Sequence, residues 1–259
     1  MEWLNVVAGL LVGIIVGITG VGGGSLMSPL LILLFGVAPA TAIGTDLWFA
    51  AITKSVGGYI HHRHASVDLG VVRLLAIGSI PAAILVGLWL GYSEGGRFTS
   101  QTLATALGSV LVLTAVTTLF RAQIAKHVRT LAIRSNPRFL AFKTIATVFA
   151  GAILGTMVTL TSVGAGALGA TILMILYPRR LSLRRLVGTD IAHAVPIAFV
   201  GGIVHAVVGT VDLELLAMLL LGSLPGIIIG SKVAALMNEK IVQTILAVVL
   251  LIAGMKLLL

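Results

Sequence analysis

The sequence contains an internal duplication. Residues 44–81 align with residues 188–225 without a gap, and 15 of the 38 aligned pairs are identical. The identical pairs include acids, glycines and a proline, and chance similarity between apolar segments does not explain identity at such residues. The matched segments are Gly44-Thr45-Asp46 with Gly188-Thr189-Asp190, Val67-Asp68-Leu69 with Val211-Asp212-Leu213, and Gly78-Ser79 plus Pro81 with Gly222-Ser223 plus Pro225. In a membrane protein, a duplication that includes acidic residues is typical of a transporter whose site lies between the two halves.

The composition indicates an integral membrane protein. Hydrophobic residues make up 58% of the chain and charged residues only 10%, which is far outside the range of soluble domains. The first residues lack the cationic leader and cleavage site of a secretory signal, so we expect the first apolar run to stay in the mature protein. The chain has no cysteine, which excludes disulfides and thiolate metal sites. We expect neither a metal nor another cofactor.

The net charge of +9 is concentrated in two segments. Residues 121–143 contain six lysines and arginines and no acid, and residues 178–185 contain four arginines. Basic loops of this kind are typical of the cytoplasmic face of a membrane protein, beside anionic lipid. The charge therefore predicts contact with the bilayer and no binding of nucleic acid.

Each half begins with two short apolar stretches. They are separated by residues 19–24 in the first half and by residues 161–166 in the second, whereas a single membrane span needs about 20 apolar residues. We therefore expect each pair to form a hairpin with a broken tip inside the membrane, where protein or an aqueous cavity satisfies the backbone. Three full transmembrane helices follow each hairpin. The predicted fold class is an all-α polytopic membrane protein.

Charge also predicts the orientation of the two halves. We divide the chain into a first membrane repeat (1–120), a cytoplasmic basic linker (121–143) and a second membrane repeat (144–259). Counting crossings from the linker places matched loops on opposite sides of the membrane, with opposite charge bias and both termini outside. This predicts an inverted repeat. If either hairpin crossed the membrane fully, the predicted orientation of the two halves would change.

The two broken tips are candidate anion sites. Glycines let backbone N–H groups converge on a ligand, and the positive end of the following half-helix favours an anion. The same glycines also suit close helix packing, so both interpretations stay open. The predicted substrate-binding residues at the tips are Gly22, Gly23, Gly24 and Ser25 in the first half and Gly164, Ala165 and Gly166 in the second.

Asp46 and Asp190 are the most informative single residues. A charged group inside the membrane costs about 3 kcal/mol or more, so it normally faces a cavity or a partner. The alternative is that each aspartate caps the start of its own helix. Lys54 lies on the same helical stripe as Asp46, and its counterpart in the second half is an alanine. His193 is a candidate proton relay or a structural histidine. We predict that these four residues line the pore or couple transport to a cation.

Other motifs favour structural roles. Gly9, Gly13 and Gly17 recur every four residues, as do Gly151 and Gly155, which is the pattern of close helix contact in membranes. The run from His61 to His64 superficially resembles a metal cluster. Its residues are consecutive at a helix end without a matched acid, which favours a solvated cluster over a metal site.

Several segments together resemble one known family. The segment from Gly17 to Leu31 (GITGVGGGSLMSPLL), the segment Ala42-Ile43-Gly44-Thr45 and the segment Gly78-Ser79-Ile80-Pro81-Ala82 are similar to the sulfite exporter TauE/SafE family of membrane permeases. The resemblance covers essentially the whole chain. It implies secondary transport of small sulfur-containing anions such as sulfite, sulfoacetate or organosulfonates, most often outward across a bacterial inner membrane. The second tip has fewer glycines than the first, which argues against equal anion contacts from both.

We therefore expect a membrane transporter that holds a small anion between the two tips. Thr45 and Thr189 would add hydroxyl donors, and the sequence allows a homodimer. A passive anion channel is the alternative. An intramembrane aspartyl hydrolase is a weaker alternative, because two aspartates on helices can share a proton but Gly44-Thr45-Asp46 lacks the Gly-x-Gly-Asp pattern of such proteases.

Overall fold

The computed structural model describes residues 2–19, 24–63, 67–92, 100–132, 138–178, 180–234 and 239–259. The regular structure in these ranges is entirely helical, which confirms the predicted all-α class. The helices are α1 (Glu2–Thr19), α2 (Gly24–Phe35), α3 (Pro39–Arg63), α4 (Leu69–Tyr92), α5 (Ser100–Leu119), α6 (Arg121–Ala132), α7 (Arg138–Thr161), α8 (Ala167–Leu176), α9 (Leu183–Val207), α10 (Leu213–Ala234) and α11 (Glu239–Leu258).

Six of these helices are long and apolar enough to cross a membrane, namely α4, α5, α7, α9, α10 and α11. Shorter apolar segments lie in α1, α2 and α8. A helix satisfies all its backbone hydrogen bonds internally, which is the requirement for a chain segment in lipid. The prediction of a polytopic helical membrane protein is confirmed.

The helices of the two halves correspond. Both α3 and α9 contain 25 residues, and they begin at matched positions of the duplicated sequence, as do α4 and α10. Packing between the halves is reciprocal: α1 packs against α10 and α7 against α4, while α3 packs against α9 and α5 against α11. The duplicated sequence is therefore matched by corresponding helix contacts in the two halves.

Glycines bring the reciprocal helix pairs into backbone contact. A Cβ atom at Gly9 would overlap the backbone of Leu219, and one at Gly151 would overlap the backbone of Leu75. These contacts are equivalent in the two halves, because Leu75 and Leu219 are a matched pair of the duplication. Gly13 and Gly155 make the same kind of contact. The predicted role of these glycines in close helix packing is confirmed.

Helix α3 begins at Pro39, ahead of Gly44, the first residue of the duplicated segment. Proline is favoured in the first turn of a helix, where its missing N–H costs nothing. The segment 121–143 contains α6 and the start of α7. The sequence of α6, RAQIAKHVRTLA, alternates apolar and basic residues at helical spacing and is amphipathic.

Candidate functional site

Asp46 is fully buried and joins three parts of the chain. Its Oδ2 atom accepts hydrogen bonds from the backbone N–H of Ser28 (3.2 Å), from Oγ of Ser28 (2.7 Å) and from Oγ of Ser162 (2.9 Å). Its Oδ1 atom is buried without a hydrogen-bond partner in the described structure. Asp46 lies well inside α3, so it does not cap the start of its own helix. The carboxylate instead holds α2 and the second tip against α3.

The second tip, residues 162–166 between α7 and α8, is an irregular segment of backbone. Ser162 has a φ of 60°, Gly164 of 124° and Gly166 of 135°. A non-glycine residue with positive φ costs on the order of 1 kcal/mol or more. The hydrogen bond from Ser162 to Asp46 stabilises this conformation. The predicted break in the membrane helix is therefore present, and it is built around Asp46.

Lys54 reaches the second tip from α3. Its Nζ atom donates a hydrogen bond to the carbonyl oxygen of Ala165 at 2.8 Å, and its side chain is buried. Its charge acts on both Asp46 and Asp190. Lys54 is therefore a buried cation whose charge acts on two buried acids, and it lies next to the irregular backbone of the tip.

Asp190 has different surroundings from Asp46. It is buried in α9 and lies directly against Gly169 of α8, where an added Cβ atom would overlap Oδ1 of Asp190. The positive charges of Lys54 and Arg121 both act on it. Hydroxyl groups therefore surround one acid and cations the other, so the two matched aspartates are not chemically equivalent.

His193 lies one helical turn after Asp190 and is buried. Its Nε2 atom is 3.0 Å from Oγ of Ser79 in α4. Its Nδ1 atom is buried and has no hydrogen-bond partner in the part of the chain that the structure describes. Residues three apart on a helix share a face, so His193 and Asp190 are on the same side of α9. This placement is compatible with the proposed proton relay.

Thr45 and Thr189 lie at reciprocal contacts between the halves. Oγ1 of Thr45 accepts a hydrogen bond from the backbone N–H of Asp212 (3.1 Å), and Oγ1 of Thr189 accepts one from that of Asp68 (2.9 Å). Thr189 also donates to the carbonyl oxygen of Arg185. Thr45 therefore joins α3 to the chain just before α10, and Thr189 joins α9 to the chain just before α4.

One of these two contacts is strengthened by an ion pair. Arg180 donates two hydrogen bonds to the carboxylate of Asp68, at 2.7 Å and 2.9 Å, which is the geometry of a strong, bidentate pair. Burial opposes ionisation of Asp68, but the hydrogen bonds and charge of Arg180 hold the pKa of Asp68 below its usual value. The matched residue Asp212 accepts a hydrogen bond from the backbone N–H of Leu215. The chain before α4 is therefore anchored by a charged pair.

The structure describes four of the predicted tip residues in detail. Gly164, Ala165 and Gly166 lie in the second tip beside Lys54, and Ser25 is buried near the start of α2, which begins at Gly24. Gly22 and Gly23 lie outside the described residues, as do the side chains of His61 to His64. In the described ranges, no group of three or more histidines and acids is placed to hold a metal ion.

Sequence reasoning missed Ser28, Ser162 and the role of Arg121. The two serines have no counterpart at matched positions of the second and first halves, so the duplication did not mark them. Arg121 was assigned to the solvated linker because it opens a run of basic residues. The one available signal for hydroxyl ligands of Asp46 is that Ser28 and Ser162 are both close in sequence to a break in a membrane helix.

Replacement of Gly169 by alanine tests the placement of Asp190. The new methyl group would occupy the position of Oδ1 of Asp190, so the buried carboxylate would have to move. We expect substrate flux in proteoliposomes to fall by about tenfold or more, as is typical when a functional group is displaced by about 1 Å. Gly91→Ala is the control, because a Cβ atom there meets only Val208 at 3.9 Å. Parental flux in a well-folded Gly169→Ala protein would contradict this placement.

The fold and the site define a polytopic helical membrane transporter, with two equivalent halves and buried ionisable groups at a broken helix. The chain belongs to the sulfite exporter TauE/SafE family, which it matches over residues 5–257. This confirms the resemblance predicted from the sequence, and it identifies the protein as a transporter rather than an enzyme.

Two relatives cover nearly the whole chain. The probable membrane transporter protein YjnA of Bacillus subtilis (strain 168) is 39% identical over 253 residues, which is 97% of this chain and 98% of the relative. The probable membrane transporter protein YdhB of the same organism is 31% identical over 251 residues, 96% of each chain. No solved structure is a significant match.

Proposed function

We propose that the protein is a secondary transporter that carries small sulfur-containing oxyanions, such as sulfite, sulfoacetate or organosulfonates, outward across a bacterial inner membrane. The observation that carries this proposal is the position of Lys54, a buried cation held at the second tip by the carbonyl oxygen of Ala165. The family supports the substrate class.

The charges of the site suit an anion that moves together with a cation. Asp46, Asp190 and Lys54 together have a net negative charge when all three are ionised, and Arg121, whose charge also acts on Asp190, brings the sum only to zero. A proton or a sodium ion on one carboxylate gives the site the positive charge that an anion needs. The Oδ1 atom of Asp46, which is buried without a hydrogen-bond partner in the described structure, is the position that we assign to this cation. Transport of the anion is thereby coupled to the cation.

Burial of the site favours alternating access over a passive channel. Asp46, Lys54, Asp190 and His193 are each at most 5% exposed, so a substrate held among them would be shielded from both sides of the membrane. In our proposal, the threonine contacts between the halves rearrange as the site opens to one side. The ion pair of Asp68 and Arg180 stabilises the closed arrangement at the end of the protein where this pair lies, just before α4.

We further propose that the halves have opposite orientations in the membrane, as the charge bias predicts. Reciprocal packing of α1 with α10 and of α7 with α4 supports a two-fold relation, and three long helices after each hairpin would invert the second half. The matched residues Val67 and Val211 are both partly exposed and lie just before α4 and α10.

Single cysteines at Val67 and Val211 test this orientation. The chain has no native cysteine, so each variant has one thiol. We expect a membrane-impermeant maleimide to label Val211→Cys in intact cells and Val67→Cys only in inverted vesicles. Permeabilised cells provide the control for reactivity. Labelling of both positions from the same side would overturn the inverted repeat.

Flux of defined anions in proteoliposomes tests the transport function. Radiolabelled sulfite and sulfoacetate should move at rates above those of protein-free vesicles, and an imposed proton or sodium gradient should drive their accumulation. Taurine, whose ammonium group cancels the sulfonate charge, is the control for the charge of the substrate. If neither anion moves faster than in protein-free vesicles, the proposed substrate class is wrong.

A further inference from the structure

Arg121 is placed differently from the rest of the basic linker. It is the first residue of α6 and directly follows the turn after α5. Its Nη2 atom is buried, and no hydrogen-bond partner for this atom is present in the described ranges. Helix α6 packs against α8, the helix that starts at the second tip. The guanidinium group is therefore directed toward protein near the transport site, although its sequence context predicts a solvated loop.

The charge of Arg121 acts on Asp190, as does that of Lys54. The two cations belong to different elements, α6 and α3, and they share one buried carboxylate. Lys54 donates to the tip, whereas Nη2 of Arg121 retains its hydrogen-bonding capacity. This arrangement extends the electropositive part of the site from the tip toward the linker.

A buried charged donor without an acceptor is costly, because it has lost its hydration without gaining a partner. Such a group is well suited to a ligand that supplies the missing acceptor. Guanidinium groups present their N–H donors in a planar fork that binds two oxygens of one oxyanion. A carboxylate from the protein would satisfy the group permanently, whereas a transported oxyanion would satisfy it only in passing.

We propose that Arg121 is a second contact for the transported oxyanion, on the linker side of Lys54, which receives the anion through Nη2 as it enters or leaves the buried site. This inference rests on the proposed function and adds a residue to its binding site. The predicted ligand is an oxyanion with at least two oxygens on one centre, such as a sulfite or a sulfonate group.

A different role for Arg121 is to offset the charge of Asp190 without touching the substrate. The two roles make opposite predictions for a double variant. If Arg121 only offsets the acid, Arg121→Gln should have no effect once Asp190 is neutralised, so the double variant should bind like Asp190→Asn alone. If Arg121 contacts the anion, the double variant should bind more weakly than Asp190→Asn alone.

The test is equilibrium binding of radiolabelled sulfite and sulfoacetate to the purified full-length protein in nanodiscs. We expect Arg121→Gln to weaken binding by about tenfold or more, as for the loss of a charge-assisted contact. Arg121→Lys should recover part of the affinity, and Arg121→Gln combined with Asp190→Asn should bind about tenfold or more weakly than Asp190→Asn alone. Arg73→Gln, which removes an exposed cation of α4, should bind like the parent.

Thermal unfolding without ligand establishes that each variant is folded. Arg121→Gln should unfold close to the parent, because removal of a buried charged donor without an acceptor offsets the loss of the positive charge that acts on Asp190. Parental affinity in Arg121→Gln, or equal affinity of Asp190→Asn with and without Arg121→Gln, would overturn the inference while leaving the proposed function intact. If the parent binds neither anion, the proposed function fails and the inference fails with it.

Discussion

Replacement of Lys54 by methionine is expected to reduce anion transport strongly. Methionine has a similar length and is apolar, so it fills the space of the lysine without its charge. The variant loses the hydrogen bond to the carbonyl oxygen of Ala165 and leaves Asp46 and Asp190 without the cation that acts on both. Loss of a charge-assisted contact to the anion costs about 1.5–3 kcal/mol of binding, so we expect flux at low anion concentration to fall by roughly 10- to 100-fold.

The measurement is initial uptake of radiolabelled sulfite into proteoliposomes, normalised to the amount of folded protein. Lys232→Met is the matched control, because Lys232 is an exposed residue of α10 and the substitution is chemically the same. Lys54→Arg retains the charge, although its larger head group must fit beside the tip, so we expect intermediate flux. Full activity of Lys54→Met would exclude Lys54 as the anion contact.

Replacement of Asp46 by asparagine is expected to preserve anion binding and to abolish anion accumulation driven by a cation gradient. The side-chain oxygen of asparagine can accept the hydrogen bonds that Ser28 and Ser162 donate to Oδ2, so the junction of α2, α3 and the second tip should persist. The variant no longer has a negative charge to bind a proton or a sodium ion. Anion affinity should therefore be unchanged or higher, while accumulation driven by a cation gradient should disappear.

Two assays on the same preparation distinguish these effects. Exchange of labelled for unlabelled anion at equal concentrations measures binding and translocation, and accumulation under an imposed gradient measures coupling. Glu214→Gln, which neutralises an exposed acid at the start of α10, should behave like the parent in both. Gradient-driven accumulation by Asp46→Asn at the parental level would show that Asp46 is a structural ligand of the serines and has no coupling role.

The sequence predicted the features that depend on residue type within apolar helices. Ionisable residues are costly in the membrane, so Asp46, Lys54 and Asp190 were recognisable from their types alone. The structure places Lys54 against the second tip, where the glycine pattern had predicted a broken helix. The duplication likewise predicted corresponding halves, which the reciprocal helix pairs display.

Other contacts depend on the path of the backbone and could not be predicted. The hydroxyl of Ser162 reaches Asp46 because residue 162 has positive φ, a conformation that nothing in a serine indicates. The pairing of Asp68 with Arg180 joins residues in different halves. Arg121 opens a basic run, and only tertiary packing shows that its Nη2 atom is buried.

The central claim is that a small sulfur-containing oxyanion binds at the second tip beside Lys54. Selenite, the selenium analogue of sulfite, provides an anomalous scatterer whose position can be measured directly in crystals of the protein. We expect a selenium peak beside Lys54, close enough for a selenite oxygen to accept a hydrogen bond from Nζ, and we expect this peak to disappear in crystals of Lys54→Met. A selenium peak remote from Lys54, at a selenite concentration that blocks sulfite uptake, would contradict this claim.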